Sequence, residues 1–494
     1  MKKLITLATL TAVAFSISAK EAANDSLVEN YMRSSLYTII LKSDKQNKHF
    51  EEETKKAADS DALMSTIKSF ANTDAKKAAN ETEAGSIFEL PAAVFPSIEI
   101  PNQFNDHNLA VRVIDFDAIK STISADEAEK YRVGKKKGGG FGKFAKAAAG
   151  MNTAGDDINA DFDNYVGAVM HKFFAQEKVP ANLLAKWYNY DANRADNRWN
   201  LDVVTDRGAY NFSKEDLARA ADDAAVQRKI DQTAFDMIGN TYVMAVNLRF
   251  RSNQAIVAEA SAAADAVAGA FGFGGLGKLA GSAANAAAGE GFVVQAVSNL
   301  YRLKWNDDIN QNFAVNIFEK NATLDDLIAS GMCELEFVGS EKARSHVRQS
   351  MLSDKPMSDL VKRATARAID EAICKLQSNH EEFRTVMPII GGNEKDGVVY
   401  ARIGTKEGLG EKDEYEILEK QEDKDGKTVY KSIGNVKPVK GKIWNNAYGA
   451  EEELAEDGSK AKDADREAVN RGYSEFKGKK GDFRGYYLRL KKKK

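Results

Sequence analysis

"GNTYVMAVNLRFR", from Gly239 to Arg251, and "FVVQAVSNLYRLKW", from Phe292 to Trp305, are the two stretches whose reading decides the fold. Each is rich in β-branched and aromatic residues and alternates with a period of two, so each predicts a β-strand. Between them runs a glycine- and alanine-rich excursion that ends in "GGLGKLAGSAANAAAG", Gly274 to Gly289. The chain is therefore expected to leave one strand, make a long detour and return in the next, as a hairpin does. A flexible linker would be built of Gly and Ser alone. This detour also carries Phe271, Phe273, Leu276 and Leu279.

The same pattern occurs earlier as "GGGFGKFAKAAAG", Gly138 to Gly150, preceded by Lys135 to Lys137. Both copies place a glycine, a bulky apolar residue, a glycine, a lysine, a bulky apolar residue and an alanine in that order. In the second copy Ala264, Ala268 and Gly272 fall at small-x-x-x-small spacing, resumed by Gly277 and Gly281, which suits two short helical arms in close contact. Gly272, Gly274 and Gly277 also match G-x-G-x-x-G, and Gly272, Gly277 and Lys278 match G-x-x-x-x-G-K. Leu279 stands where a phosphate loop needs Ser or Thr, and "EASAAADAVAGAF" ahead of it reads as helix rather than strand. No nucleotide or other cofactor is expected. The candidate contact surface is Phe141, Lys143, Phe144, Phe271, Phe273, Leu276, Lys278 and Leu279, the apolar residues supplying area and the lysines a polar edge. The alternative is that both segments are small-residue loops packed within the protein.

The chain begins "MKKLITLATLTAVAFSISAK". Lys2 and Lys3, the apolar run Leu4 to Ile17, and Ser16 and Ser18 at cleavage spacing predict a signal peptide over residues 1–18 and export to the periplasm or outer membrane. The apolar run is too short for a membrane-spanning helix. The 494 residues, 43% hydrophobic and 29% charged, predict a folded chain of two to four domains. A net charge of -3 gives no overall attraction to nucleic acid, and only the tail "YYLRLKKKK" is locally basic. Cys333 and Cys374 suit small buried positions in apolar surroundings, and a single bridge between them is the alternative.

From Asp25 to about Ala84 apolar residues recur at three-to-four spacing, predicting helix, with residues 19–90 as a helical region. Pro91, Pro96 and Pro101 mark a junction. Residues 91–390 are expected to form a mixed α/β domain. In it "NLAVRVIDFDAI" reads as a strand, and "DFDNYVGAVMHKFFAQEKVPANLLAKWYNYD" as two helices broken near Pro180. "SDLVKRATARAIDEAICKLQSNHEEFR" reads as a further helix. Short alternating runs over residues 391–494 predict an all-β barrel or sandwich, interrupted by the charged segment "AYGAEEELAEDGSKAKDADREAVNRGYSEF". The fold class is therefore α+β.

Catalytic motifs are sparse. His49, His107, His171, His346 and His380 form no metal-ligand pair, and neither H-E-x-x-H nor C-x-x-C occurs. Asp115 and Asp117 would share one side of a strand, a spacing open to paired-carboxylate chemistry but also common at strand ends. Trp187, Tyr188, Tyr190 and Trp199 read as the packing anchor of a helix end rather than a sugar platform. "RSSLYTIIL", "IPNQFNDHNLAVRVI", "NLLAKWYNYD" and "DRGAYNFSKEDL" resemble recurring blocks of an uncharacterised family of exported proteins from Bacteroidota. "VVYARIGTKEGLGEKDEYEILE" is similar to small β modules of envelope assembly proteins. Neither resemblance supplies a catalytic residue or an established activity. The leader and the repeated glycine-rich pattern give the expectation of an exported, non-enzymatic envelope protein that acts through self-association, other envelope proteins or a membrane surface, with no nucleic-acid partner. The second reading is a periplasmic hydrolase or carbohydrate-binding protein whose site residues are dispersed along the chain.

Overall fold

The computed structural model describes residues 34–49, 104–105, 113–133, 154–209, 237–252, 291–348, 357–384, 386–422, 428–457, 462–483 and 485–493, with isolated positions between 218 and 235. It is an α+β protein built on two sheets. In the first half the elements are β1 (Ser34–Lys42), β2 (Phe104–Asn105), β3 (Val113–Asp115), α1 (Phe116–Lys120), α2 (Ala125–Lys130), α3 (Ala154–Gln176), α4 (Val179–Trp187), α5 (Leu201–Ala209), β4 (Thr241–Ser252) and β5 (Gly291–Leu303). Then come α6 (Asp307–Phe313), a π-helical turn (Ala314–Phe318), α7 (Leu324–Ser330), β6 (Leu335–Arg348) and α8 (Met357–Asn379).

The two deciding stretches form strands as expected. β4 and β5 pair antiparallel along their length, from Tyr242 opposite Arg302 to Ser252 opposite Phe292, and β6 continues the sheet beyond β5. β1 runs parallel to β4, and β2 and β3 both pair parallel with β1. One face of this sheet carries Leu36, Ile40, Met244, Val246, Val294 and Leu300 against α8. The other carries Tyr37, Ile39, Leu41, Val243, Ala245 and Tyr301 against α3 and α4.

Two expectations are corrected. Ser34–Lys42, inside the stretch expected to be helical, is a strand at the middle of the sheet, and helix follows only over residues 44–49. Every residue from Ser35 to Leu41 is buried. A strand covered on both faces shows no polar alternation, so its apolar run mimics one face of a helix. The remainder of residues 19–90 lies outside the described residues. Asp115 and Asp117 do not share a strand side either. Asp115 caps α1 by accepting from the Ala118 N–H, while Asp117, already helical, accepts from Ser43 Oγ and the Lys45 N–H.

Helices α3 and α4 follow their apolar stripes, and Pro180 sits in the first turn of α4, where a missing N–H costs nothing. Trp187, Tyr188 and Trp199 are fully buried with Phe313, and Trp187 Nε1 donates to Thr241 Oγ1 at 2.7 Å. The expected aromatic anchor is therefore a third core beneath the β4 entry. Cys333 and Cys374 are both free thiols.

In the second half β7 (Val386–Pro388), β8 (Gly391–Asn393), β9 (Val398–Ala401), β10 (Glu414–Glu422) and β11 (Thr428–Pro438) precede α9 (Ala450–Asp457) and α10 (Asp463–Asn470), which fall in the charged interruption. β12 (Ser474–Gly478) and β13 (Tyr487–Lys492) follow. The strand order is β7-β13-β10-β11-β12-β9-β8. β7 and β8 stand at opposite ends of that order yet are separated in sequence only by Ile389 and Ile390. The Ile389 N–H donates to the Tyr486 carbonyl and the Ile390 N–H to the Tyr400 carbonyl, so one bent run bonds to both flanks and curls the sheet into a small barrel. Val399, Tyr415, Ile417, Val436, Phe476 and Leu488 fill its interior.

Helix α8 serves both sheets. Ala364, Ala368, Ile369, Ala372, Ile373 and Leu376 pack on the first sheet. From its other side Arg363 pairs with Glu452, Arg367 Nε donates to the Tyr448 carbonyl, and Cys374 Sγ donates to the Lys406 carbonyl.

Candidate functional site

The eight residues expected to form the contact surface, Phe141, Lys143, Phe144, Phe271, Phe273, Leu276, Lys278 and Leu279, lie outside the described residues. The ends of the chain that lead into them are described. The second glycine-rich segment connects Ser252 to Gly291, which follow each other around the open end of the β4-β5 hairpin. The first connects Val133 to Ala154, the first residue of α3.

Helix α3 fixes where that second connection is. Near its C-terminus Phe174 meets Tyr301 edge-on at 5.0 Å, level with Val243, while further back Asp163 pairs with Arg249. The helix therefore runs antiparallel to β4. From Asp163 to Ala154 it rises a further ~13 Å at 1.5 Å per residue, which carries its start to the level of Ser252 or beyond at ~3.3 Å per strand residue. The second segment and the α3 end of the first thus join the fold at one end of the first sheet, while Val133 leaves from beside Gly167 in the middle of α3.

A polar cluster forms the floor of that end. On the α3 side of β4 the residues run Val243, Ala245, Asn247, Arg249, apolar until the sheet nears its edge and then polar. Asn247 and Arg249 are nonetheless buried. Arg249 Nε donates to Asn247 Oδ1 at 2.7 Å, and its guanidinium bonds Asp163 at 2.5 Å. Asp163 also holds Lys342 of β6 at 2.8 Å, so one carboxylate ties two strands to one helix. Burial pushes the Asp163 carboxyl upward, but Arg249 and Lys342 outweigh it and leave it below its ordinary value. Asn247 Nδ2 donates to Gln46 Oε1, and Gln46 Nε2 to Asn159 Oδ1, extending the cluster to the residues after β1. Beside it Phe162 stacks on Phe116 at 3.7 Å, with the Arg249 guanidinium 5.5 Å from the Phe162 ring, and Lys120 pairs with Asp161.

The entry to the first segment is equally tight. Arg132 donates to Asn164 at 2.7 Å, and Gly167 lets the chain lie against α3, since a Cβ there would come within 1.9 Å of the Tyr131 carbonyl oxygen. Only glycine accepts that approach.

This floor ties α3 to β4 and β6. Its donors and acceptors are engaged with one another. Among the described residues no group of three His, Cys, Asp or Glu side chains is placed to hold a metal ion, and no helix is long and apolar enough to cross a membrane. Sequence reasoning missed Asp163, Asn247, Arg249 and Lys342. One signal for Asn247 and Arg249 was available, namely polar residues replacing apolar ones on a single parity of an otherwise apolar strand. The chain matches no protein-family model, and comparison with curated proteins finds no significant match.

Proposed function

We propose that this is an exported cell-envelope protein that works by binding rather than catalysis, with the two glycine-rich segments acting together as its contact surface toward copies of itself, other envelope proteins or a membrane surface. The observation that carries the reading is that Ala154, Ser252 and Gly291 stand toward the same end of one sheet, so one end of the first segment and both ends of the second join the fold there. Both segments carry one apolar-and-lysine pattern in sequence. Small-residue spacing in the second copy suits close backbone approach to a like segment, and the bulky residues at its centre supply apolar area.

The test is fractionation of native cells followed by sizing of the extracted protein, with and without Ala260 to Gly289. A large or membrane-associated species that becomes a soluble monomer on deletion is the expected result. Unchanged size and fractionation would overturn the reading and make the segments internal packing elements.

A further inference from the structure

On the barrel wall, β11 and β12 pair with Val436 opposite Gly478, Lys437 opposite Lys477 and Pro438 opposite Phe476. Val436 and Phe476 point into the barrel core, so Lys437 and Lys477 stand outside, directly across the ladder from each other and both exposed. Like charges in that position repel. A third ammonium group lies on the same wall, and two more follow just past the end of β12. Lys491 of β13 reaches over to Asn435 Oδ1 at 3.1 Å. Lys479, just past β12, lays its stem over the inward side of Gly434, where a Cβ would come within 2.9 Å of its Cδ, and donates to the Ile433 carbonyl at 2.9 Å. Lys480 follows it, exposed.

Nearby carboxylates are engaged elsewhere, Glu416 by Arg489 and Glu475 by Arg471, each at 2.8 to 2.9 Å. Among the described residues none of Lys437, Lys477, Lys479, Lys480 and Lys491 has an ion-pair partner. We propose that this wall of the barrel docks on a bilayer surface rich in anionic headgroups. The cations are lysines, mobile point charges suited to a fluid layer of phosphates, rather than the planar guanidinium forks that read bases. Tyr400 and Tyr473, at the rim of the patch, lie against each other with centroids 4.8 Å apart and their planes tilted by 36°.

The test uses the full chain sedimented with phosphatidylcholine vesicles, with and without phosphatidylglycerol. Binding is expected only to the anionic vesicles and is expected to weaken with added salt. K437Q/K477Q should lower the partition coefficient about fivefold for each lysine, while K437R/K477R retains binding. The chain lacking Ala260 to Gly289 should keep this lysine-dependent binding, so this inference and the glycine-segment reading fail separately. No binding to anionic vesicles at low salt, or equal binding by K437Q/K477Q, would overturn it. So would tighter binding of a single-stranded oligonucleotide with the same dependence on these two lysines.

Discussion

Asp163→Asn removes one charge from the floor of the first sheet and leaves its shape. Arg249 then keeps a buried guanidinium, 5% exposed, without its counter-charge. Stripping one partner from a fully buried pair costs ~3–5 kcal/mol. Here the Asp163 side chain is 32% exposed and its second cation, Lys342, 46% exposed, so water and rearrangement recover part of that. The expected loss is about 2–3 kcal/mol, between the buried and the surface limits. Urea unfolding at neutral pH, followed by the fluorescence of the buried Trp187 and Trp199, reads this as a midpoint lowered by about 0.5 M, since the slope for a chain of this size exceeds that of a small domain. The pH dependence carries the same information. Because the folded carboxyl sits below its ordinary 3.8, its contribution is complete above that value and disappears as the pH falls through the depressed one. The Asn variant should therefore lose most at neutral pH and converge on the parent in acid. Replacing both partners, Asp163→Leu with Arg249→Met over the Phe162 ring, should recover at least half of the loss. A single variant within about 0.5 kcal/mol of the parent, or a double variant as unstable as the sum of the singles, would refute the argument.

Two further outcomes follow from close packing. Gly167→Ala should cost about 1–3 kcal/mol, because the clash is with the Tyr131 backbone carbonyl rather than a movable side chain; an unaltered thermal midpoint would contradict it. Burial pushes the Cys333 thiol up to about 12 and Cys374 well above its ordinary value, so at pH 8 Cys333 should react with a thiol reagent on the order of a thousandfold more slowly than a free cysteine and Cys374 should also be strongly protected. Both should react freely in urea, and native labelling at the rate of an exposed thiol would be inconsistent with the fold.

What could be read from sequence depended on how many faces an element buries. β4 and β5 declared themselves through β-branched and aromatic residues, and α3 and α8 through long stripes at helical spacing. β1 did not. With Leu36, Ile39 and Ile40 facing opposite sides of the same sheet, its pattern carries no period of two, and apolar residues recurring at three-to-four spacing drew the reading toward helix. Asp115 was placed correctly at a strand end, but its role as a helix cap depends on the Ala118 N–H, which only the turn of the chain brings near. The ion pairs of Asp163 link residues 86 and 179 positions apart, and nothing local in sequence marks such partners. The barrel was legible as short alternating runs, whereas its closure depends on the bend at Ile389 and Ile390.

Helix α8 leaves the two sheets little independence. Ala364, Ala366, Ala368 and Ala372 are almost wholly excluded from water, as are Thr365 and Leu376, so the helix has hardly any surface on which sequence could drift. A chain cut after Arg384 would strip the barrel from it and bare Arg363, Arg367 and Cys374 together, and a chain begun at Val386 would leave the barrel without the helix against which Lys406 and Gly408 rest. The two halves should therefore melt in a single transition, and strain applied to the barrel at its docking face would be felt by the sheet that carries the glycine-rich segments.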